Sequence, residues 1–317
     1  MRIVMMGECM IELNGSPFGA MHQAFGGDSL NTALYLKRAV NAYPHPISVS
    51  YLTAMGVDPL SKGIVAQWRQ AGLDTSLVLT DDQRQPGLYL IQLDEQGERT
   101  FLYWRNESAA RYMLRHEQFP SVIAALADVD IIYLSGITLA ILPDDDRRTL
   151  LQHLTRLHQQ GKKIVFDSNY RPVLWHDPDI AKHYYQQLLS ITWLGLLTDD
   201  DEATLWGDKS VDETLCRLHA LGLEEVVIKR GGDGCLYQNI KQGEPPLHIP
   251  AVPVATIVDT TSAGDSFNAG FLAGRLTGKS ALASAQMGHQ LAAIVIQHRG
   301  AIVPTEATDP VVDSFFI

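Results

Sequence analysis

Cysteine is scarce: three residues in 317, Cys9, Cys216 and Cys235, far apart and with no C-x-x-C spacing. Neither a structural zinc site nor a disulfide framework is indicated, and a reducing compartment is expected. Long hydrophobic runs are missing as well. No stretch of about 18 apolar residues occurs, and Glu8 interrupts the opening Met-Arg-Ile-Val-Met-Met-Gly segment before a signal-peptide core is complete. The sequence therefore predicts a cytoplasmic protein without a membrane span. Positive charge is in deficit, with 25 Lys and Arg against 36 Asp and Glu, a net charge of −11. That balance argues against nucleic acid or an anionic membrane as partner, because both need clustered cations. A small anionic ligand needs only a few well-placed ones. Internal repeats, low-complexity tracts and long linkers are also absent, and no G-x-G-x-x-G pattern follows the first apolar run, which weakens a dinucleotide-dehydrogenase reading.

What is present is an apolar share of 46%, enough for one large α/β core or a core with a small accessory domain. Short apolar runs at 3–6, 47–52, 131–134, 163–166, 193–197 and 226–229 alternate with helical stretches, the pattern of βαβ units around a largely parallel sheet. A helix is expected over 144–160, with leucines at 150, 151, 154 and 157 and a stop at Gly161; another begins at Asp212 and stops at Gly222. One region breaks the alternation. Segments 87–93 and 99–105, joined by the polar stretch 94–98, read as a hairpin. With 10–25 it is expected to form a small sheet acting as a lid; the alternative is an antiparallel extension of the main sheet.

The most informative stretch runs from Val258 to Phe271 and contains Asp259-Thr260-Thr261-Ser262-Ala263-Gly264-Asp265. A helical pattern follows Gly264, so the N–H groups of Ala263, Gly264 and Asp265 are expected at a positive helix end where an anion can bind. An Asp there can be a plain capping residue. It can also deprotonate a hydroxyl that attacks a phosphoryl group held at the same helix end. The segment Gly274-Arg275-Leu276-Thr277-Gly278-Lys279-Ser280 invites a Walker A reading, but it has three residues where that motif needs four, and it ends a helix instead of following a strand. It is read as a helix C-cap and turn.

Asp259–Ser266 resembles the D-T-x-G-A-G-D signature of the ribokinase/PfkB family of carbohydrate kinases, with Ser262 where the first glycine is usual. Gly26-Gly27-Asp28-Ser29-Leu30-Asn31 resembles the family's N-terminal signature, and the likeness covers nearly the whole chain. It implies a single ribokinase-like kinase domain over 1–317: a three-layer α/β/α sandwich with a mostly parallel central sheet and a small β-sheet lid, the lid formed discontinuously by about 10–25 and 86–106. By the same resemblance Gly27, Asp28 and Asn31 hydrogen-bond sugar hydroxyls, and Asp265 is the base, with Ala263 and Gly264 as the anion hole. Asp199-Asp200-Asp201-Glu202 resembles an Asn-x-x-Glu element in which Glu202 organises Mg²⁺ through water, although Asp199 replaces the usual Asn. Lys229-Arg230-Gly231-Gly232-Asp233-Gly234 resembles the nucleotide-side Lys-x-Gly-x-x-Gly segment, so Asp199, Lys229, Gly231, Gly234, Ser262 and Gly264 are expected along ATP. A monovalent cation is a further candidate near Asp259 and Thr261.

The choice of sugar has to come from residues outside the shared signatures. Tyr89, Tyr103 and Arg105 are spaced to share one face of the expected lid. Arg171 follows an apolar strand, at the edge of a parallel sheet that normally carries ligands. A guanidinium pairs a carboxylate with two bonds, so two such arginines suit an acid sugar. Gly7–Leu13, Tyr103–Glu107, Asp167–Pro172 and Val295–Ala301 resemble, at matching places, the branch of the family that phosphorylates 2-keto-3-deoxy-D-gluconate at its 6-hydroxyl. Two alternatives stay open: a fructokinase- or ribokinase-like activity on a neutral sugar, and a non-catalytic sugar-acid sensor on the same fold. The lid edges are expected to support a homo-oligomer.

Overall fold

The computed structural model describes residues 1–16, 18–93 and 99–316. The expected turn at 94–98 lies outside them. In chain order the elements are β1 (Arg2–Met6), β2 (Met10–Gly15), β3 (Met21–Gly26), α1 (Asp28–Ala39), β4 (Ser48–Gly56), α2 (Pro59–Gln70), β5 (Val78–Asp81), β6 (Gly87–Leu93) and β7 (Arg99–Trp104). They continue with α3 (Phe119–Ala125), β8 (Ile131–Ser135), α4 (Gly136–Ile141), α5 (Asp144–Gln159), β9 (Lys163–Asp167), α6 (Pro178–Leu189), β10 (Leu194–Thr198) and α7 (Asp199–Trp206). The last are α8 (Val211–Leu221), β11 (Glu225–Lys229), β12 (Cys235–Asn239), β13 (Leu247–Ile249), α9 (Ala263–Leu276), α10 (Ala281–Val295) and α11 (Thr305–Ser314).

The main sheet has the order β13-β12-β11-β10-β9-β8-β1-β4-β5. It is parallel from β11 through β5, and β12 and β13 add antiparallel at one edge. Strand β1 shows why its members read as unbroken apolar runs. Ile3 and Met5 enter one hydrophobic core with residues of α1, α9 and α10; Val4 and Met6 enter a second core with residues of α5, α6 and α8. Side chains alternate across a strand, so helices on both faces bury every position. That makes the three-layer arrangement. Strands β5, β12 and β13, which the alternation did not mark, widen the sheet; they are short and carry polar or exposed residues.

The helix stops fall where they were expected. Gly222 takes the left-handed conformation at the end of α8, and α9 ends at Leu276 with Gly278 at φ 81°, which disposes of the Walker A reading. Residues 10–26 and 87–104 build a separate four-stranded sheet of order β3-β2-β6-β7 rather than extending the main one. Its registers pair Glu12 with Ala24 and Tyr89, and Tyr89 with Tyr103. Cross-strand partners point the same way, so these side chains share one face. Helices α9 and α10 cross closely. A Cβ on Gly270 would lie 2.7 Å from the Gly288 Cα and from the Met287 carbonyl, which fixes where the first turn of α9 lies.

Candidate active site

The carboxyl ends of β1, β8, β9, β10 and β11 lie along one edge of the sheet, and the start of α9 meets them there. Asp265, in the first turn of α9, is the meeting point. Its Oδ2 accepts from the Asn31 amide at 2.9 Å and from the Ser262 hydroxyl at 3.0 Å. Desolvation, helped by the carboxylates of Asp28 and Asp167, pushes the Asp265 carboxyl up to about 7 against those two donors. A base in that range is half-ionised near neutrality, where general-base catalysis is most effective.

The helix end differs in one detail from the expected anion hole. The N–H of Ala263 donates to the Thr260 carbonyl at 3.2 Å, and the first α-helical bond runs from Ser266 to Ser262. Gly264 and Asp265 therefore carry the N–H groups that lack a backbone partner among the described residues. A Cβ on Gly264 would lie 3.6 Å from the Lys229 ammonium, so the glycine leaves this cation uncovered beside the helix end. Ser262 is left-handed at φ 64°, the physical reason a glycine is usual at this place in the motif. Asp259 is buried and binds the loop together, accepting from Thr261 N–H at 2.9 Å and Gly300 N–H at 2.8 Å.

On the lid side, a Cβ on Gly27 would lie 2.0 Å from the Glu8 carbonyl, and one on Gly26 would lie 3.2 Å from the Tyr89 hydroxyl. The two glycines thus let the lid close onto the start of α1. Asp28 accepts from the Asn169 amide at 2.7 Å. Tyr89 donates to Glu12, and burial, helped by that carboxylate, raises its phenol well above the usual range. Arg105 pairs with Glu8, which also accepts from Ser108, so the guanidinium expected to meet an acid sugar has a carboxylate already. Its Nε–H is buried and meets no acceptor among the described residues. Tyr103 is half-exposed, its ring 6.1 Å from Tyr89 and 5.9 Å from the Arg105 guanidinium carbon. Arg171 has other partners: it reaches the Tyr170 carbonyl at 3.2 Å and lies 3.7 Å from Asp201.

On the other side of α9 a cleft of about 600 Å³ is lined by Lys229, Gly231, Gly234, Ala263, Gly264 and the apolar Val252–Ile257 stretch. The apolar walls suit a flat heterocyclic base, and the uncovered helix end suits its phosphates. Asp199 stands apart, 3.6 Å from Arg230. Glu202 is buried against Arg217 at 2.7 Å, and desolvation raises its carboxyl to about 7 despite that guanidinium. The expectation had it facing a metal through water; its described partner is an arginine. Among the described residues no group of three or more His, Cys, Asp or Glu is placed to hold a metal ion.

Sequence reasoning named Lys229 but passed over its partners at the floor of the site. Lys229 Nζ donates to Asp167 at 3.0 Å and to Asn268 at 3.1 Å, while the Asn268 amide donates to Asp167 at 3.0 Å and to the Tyr133 hydroxyl at 3.3 Å. Asn268 was within reach, since it follows Asp265 by three and so shares its helical face. Asp167 entered only as the first residue of the 167–172 resemblance, with no role assigned to it.

Fold and site together define an α/β protein that holds a carboxylate and a helix N-terminus between a lid and an apolar cleft. The chain matches the model of the pfkB family carbohydrate kinases over residues 1–308 and belongs to that family. It is 53% identical over 302 residues to 2-dehydro-3-deoxygluconokinase of Haemophilus influenzae, covering 95% of each chain. With the Dickeya dadantii enzyme of the same name it shares 48% over 308 residues, covering 96% of this chain and 97% of the other. In fold it is similar to the Salmonella enterica aminoimidazole riboside kinase complexed with aminoimidazole riboside and an ATP analogue, with a TM-score of 0.80, 20% identity and 99% of each chain covered. Among the described residues no helix is long and apolar enough to cross a membrane.

Proposed function

We propose that the protein transfers the γ-phosphoryl group of ATP to the 6-hydroxyl of 2-dehydro-3-deoxy-D-gluconate (2-keto-3-deoxygluconate), giving the 6-phosphate and ADP. The observation that carries this reading is Asp265, poised near neutrality at a helix N-terminus between the lid and the apolar cleft. The names of relatives at 48–53% identity over nearly the full length support the substrate. So does the Arg105 guanidinium beside Tyr103, a group of the kind that pairs a carboxylate.

In this reading the sugar lies between the lid and α1, with Gly27, Asp28, Asn31, Tyr89, Tyr103, Arg105 and Arg171 as its polar contacts. ATP lies along Gly231, Gly234 and Gly264, with its base against the apolar wall. Asp265 takes the hydroxyl proton as the Gly264 and Asp265 N–H groups and the Lys229 ammonium hold the charge spread over the transferred group. The acidic first turn of α7 would hold Mg²⁺ through water, and the ion would supply neutralising charge to the phosphates. Closure of the small sheet excludes water and limits ATP hydrolysis. We further place the enzyme in the cytoplasm, with a monovalent cation near Asp259 and Thr261. We also read it as a homo-oligomer, supported by edge strand β7, where Phe101, Leu102, Tyr103 and Trp104 are 39–58% exposed.

The test is ADP release with Mg²⁺ and ATP on 2-keto-3-deoxygluconate, gluconate, fructose and ribose. The keto acid is expected to exceed the neutral sugars in kcat/KM by roughly 100-fold or more, as expected when charged buried donors would otherwise stay unpaired. Equal use of fructose or ribose overturns the substrate. Asp265→Asn is expected to lower kcat by about 10²–10⁴-fold with sugar affinity nearly kept; near-normal turnover overturns the base.

A further inference from the structure

Ser262 does not do what a serine at a helix start ordinarily does. It is the N-cap of α9, yet its side chain caps no backbone N–H. A serine N-cap is normally in an extended conformation and accepts from the second or third helical N–H. Here the residue is left-handed at φ 64°, a region costly for any side chain with a Cβ. The hydroxyl instead donates to Asp265 Oδ2 at 3.0 Å, and the residue is buried. A strained conformation that forgoes its local hydrogen bond points to a constraint imposed by the site.

We propose that Ser262 is a positioning residue for the base. Together with Asn31 it forms a two-donor clamp on one oxygen of Asp265, so that the other oxygen is presented to the sugar hydroxyl. The inference rests on the reading of Asp265 as base. The two donors come from different elements: Asn31 from α1 beneath the lid and Ser262 from the turn that starts α9. With Asn31 alone, the carboxylate can turn about its terminal torsion, which is soft. With both, its plane is fixed by the turn even when the lid is open. Among the described residues no side chain donates to Oδ1, which matches an oxygen reserved for substrate. The charged and titratable groups around the clamp are Asp28 on α1, Asp167 on β9, Lys229 on β11, and the phenols of Tyr35 on α1 and Tyr133 on β8. None of them changes when the Ser262 hydroxyl is removed.

Ser262→Gly and Ser262→Ala separate the hydroxyl from the strain. Both lose a donor to the ionised carboxylate, so both are expected to lower kcat about five- to tenfold, leave KM for the sugar within about twofold, and move the acidic limb of the kcat pH profile upward by roughly half to one unit. Only Ser262→Gly relieves the left-handed backbone, so it alone is expected to raise Tm, by about 2–4 °C. A more stable but slower enzyme with a displaced pH limb is the expected signature. If both variants keep kcat and the acidic limb of the unsubstituted enzyme while Asp265→Asn is inactive, the positioning role is overturned and the base stands. Near-normal turnover by Asp265→Asn overturns both.

Discussion

The Asp265 carboxyl, held up to about 7 by desolvation and by its acidic neighbours, has to be ionised to accept a proton. kcat/KM is therefore expected to fall tenfold per pH unit below about 7, measured with the sugar subsaturating. The same shift sets a stability trend. The folded state binds a proton that the unfolded carboxyl, with its ordinary value of 3.8, has already released over most of the interval between the two. The stabilisation is thus fully present at low pH and lost as pH rises through the folded value. Replacing the carboxyl with a neutral amide removes that loss. Asp265→Asn is expected to raise Tm at pH 8 by roughly 2–4 °C and by only about a third as much at pH 5, which lies early in the interval between the two values; equal effects at both would refute the linkage.

Helix α9 carries the proposed base and anion hole together with Asn268, so its seating on α10 matters more than that of any peripheral helix. The seating depends on small residues facing each other. Gly270 opposes Gly288, and a Cβ on Gly274 would lie 2.5 Å from the Ser284 hydroxyl. Gly270→Ala brings the methyl to 2.7 Å from backbone atoms that cannot rotate away. Forced overpacking of this kind costs about 1–3 kcal/mol, more than the roughly 0.5–1 kcal/mol that Ala gains over Gly within a helix. The net change is therefore expected to be a lower Tm. Because the displaced element holds Asp265, kcat should fall as well, in thermal melts and ADP-release assays on the same preparation. An unchanged Tm would show that the two helices separate more easily than the contact implies.

At the scale of the molecule, the lid is joined to the main sheet by a buried ion pair: Glu8, just after β1, and Arg105, just after β7. Removing one member of such a pair typically costs about 3–5 kcal/mol, since the other is left charged and unpaired. Arg105→Ala is therefore expected to lower Tm sharply while raising KM for the keto acid by roughly tenfold or more. Adding Glu8→Gln should recover most of the Tm and none of the KM. Recovery of KM in the double variant would mean that Arg105 serves the lid hinge and not the sugar.

The sequence alone determined the α/β class, the parallel run of strands, the separate small sheet and the stretch that carries Asp265, because each is written locally. Apolar runs buried on both faces, a polar break between two strands and small residues ahead of a helix all leave signals within a few positions. Tertiary structure decided the partners. That Asn31 reaches Asp265, that Glu8 neutralises Arg105, that Glu202 faces Arg217, and that Lys229, Asp167 and Asn268 form one buried network depends on residues 15 to more than 200 positions apart meeting in space. A residue type and its spacing carry no record of such a meeting, since hydrogen bonds and charge pairs form across space. Even the left-handed turn at Ser262, a local feature, became legible only once its hydroxyl was seen to reach the base.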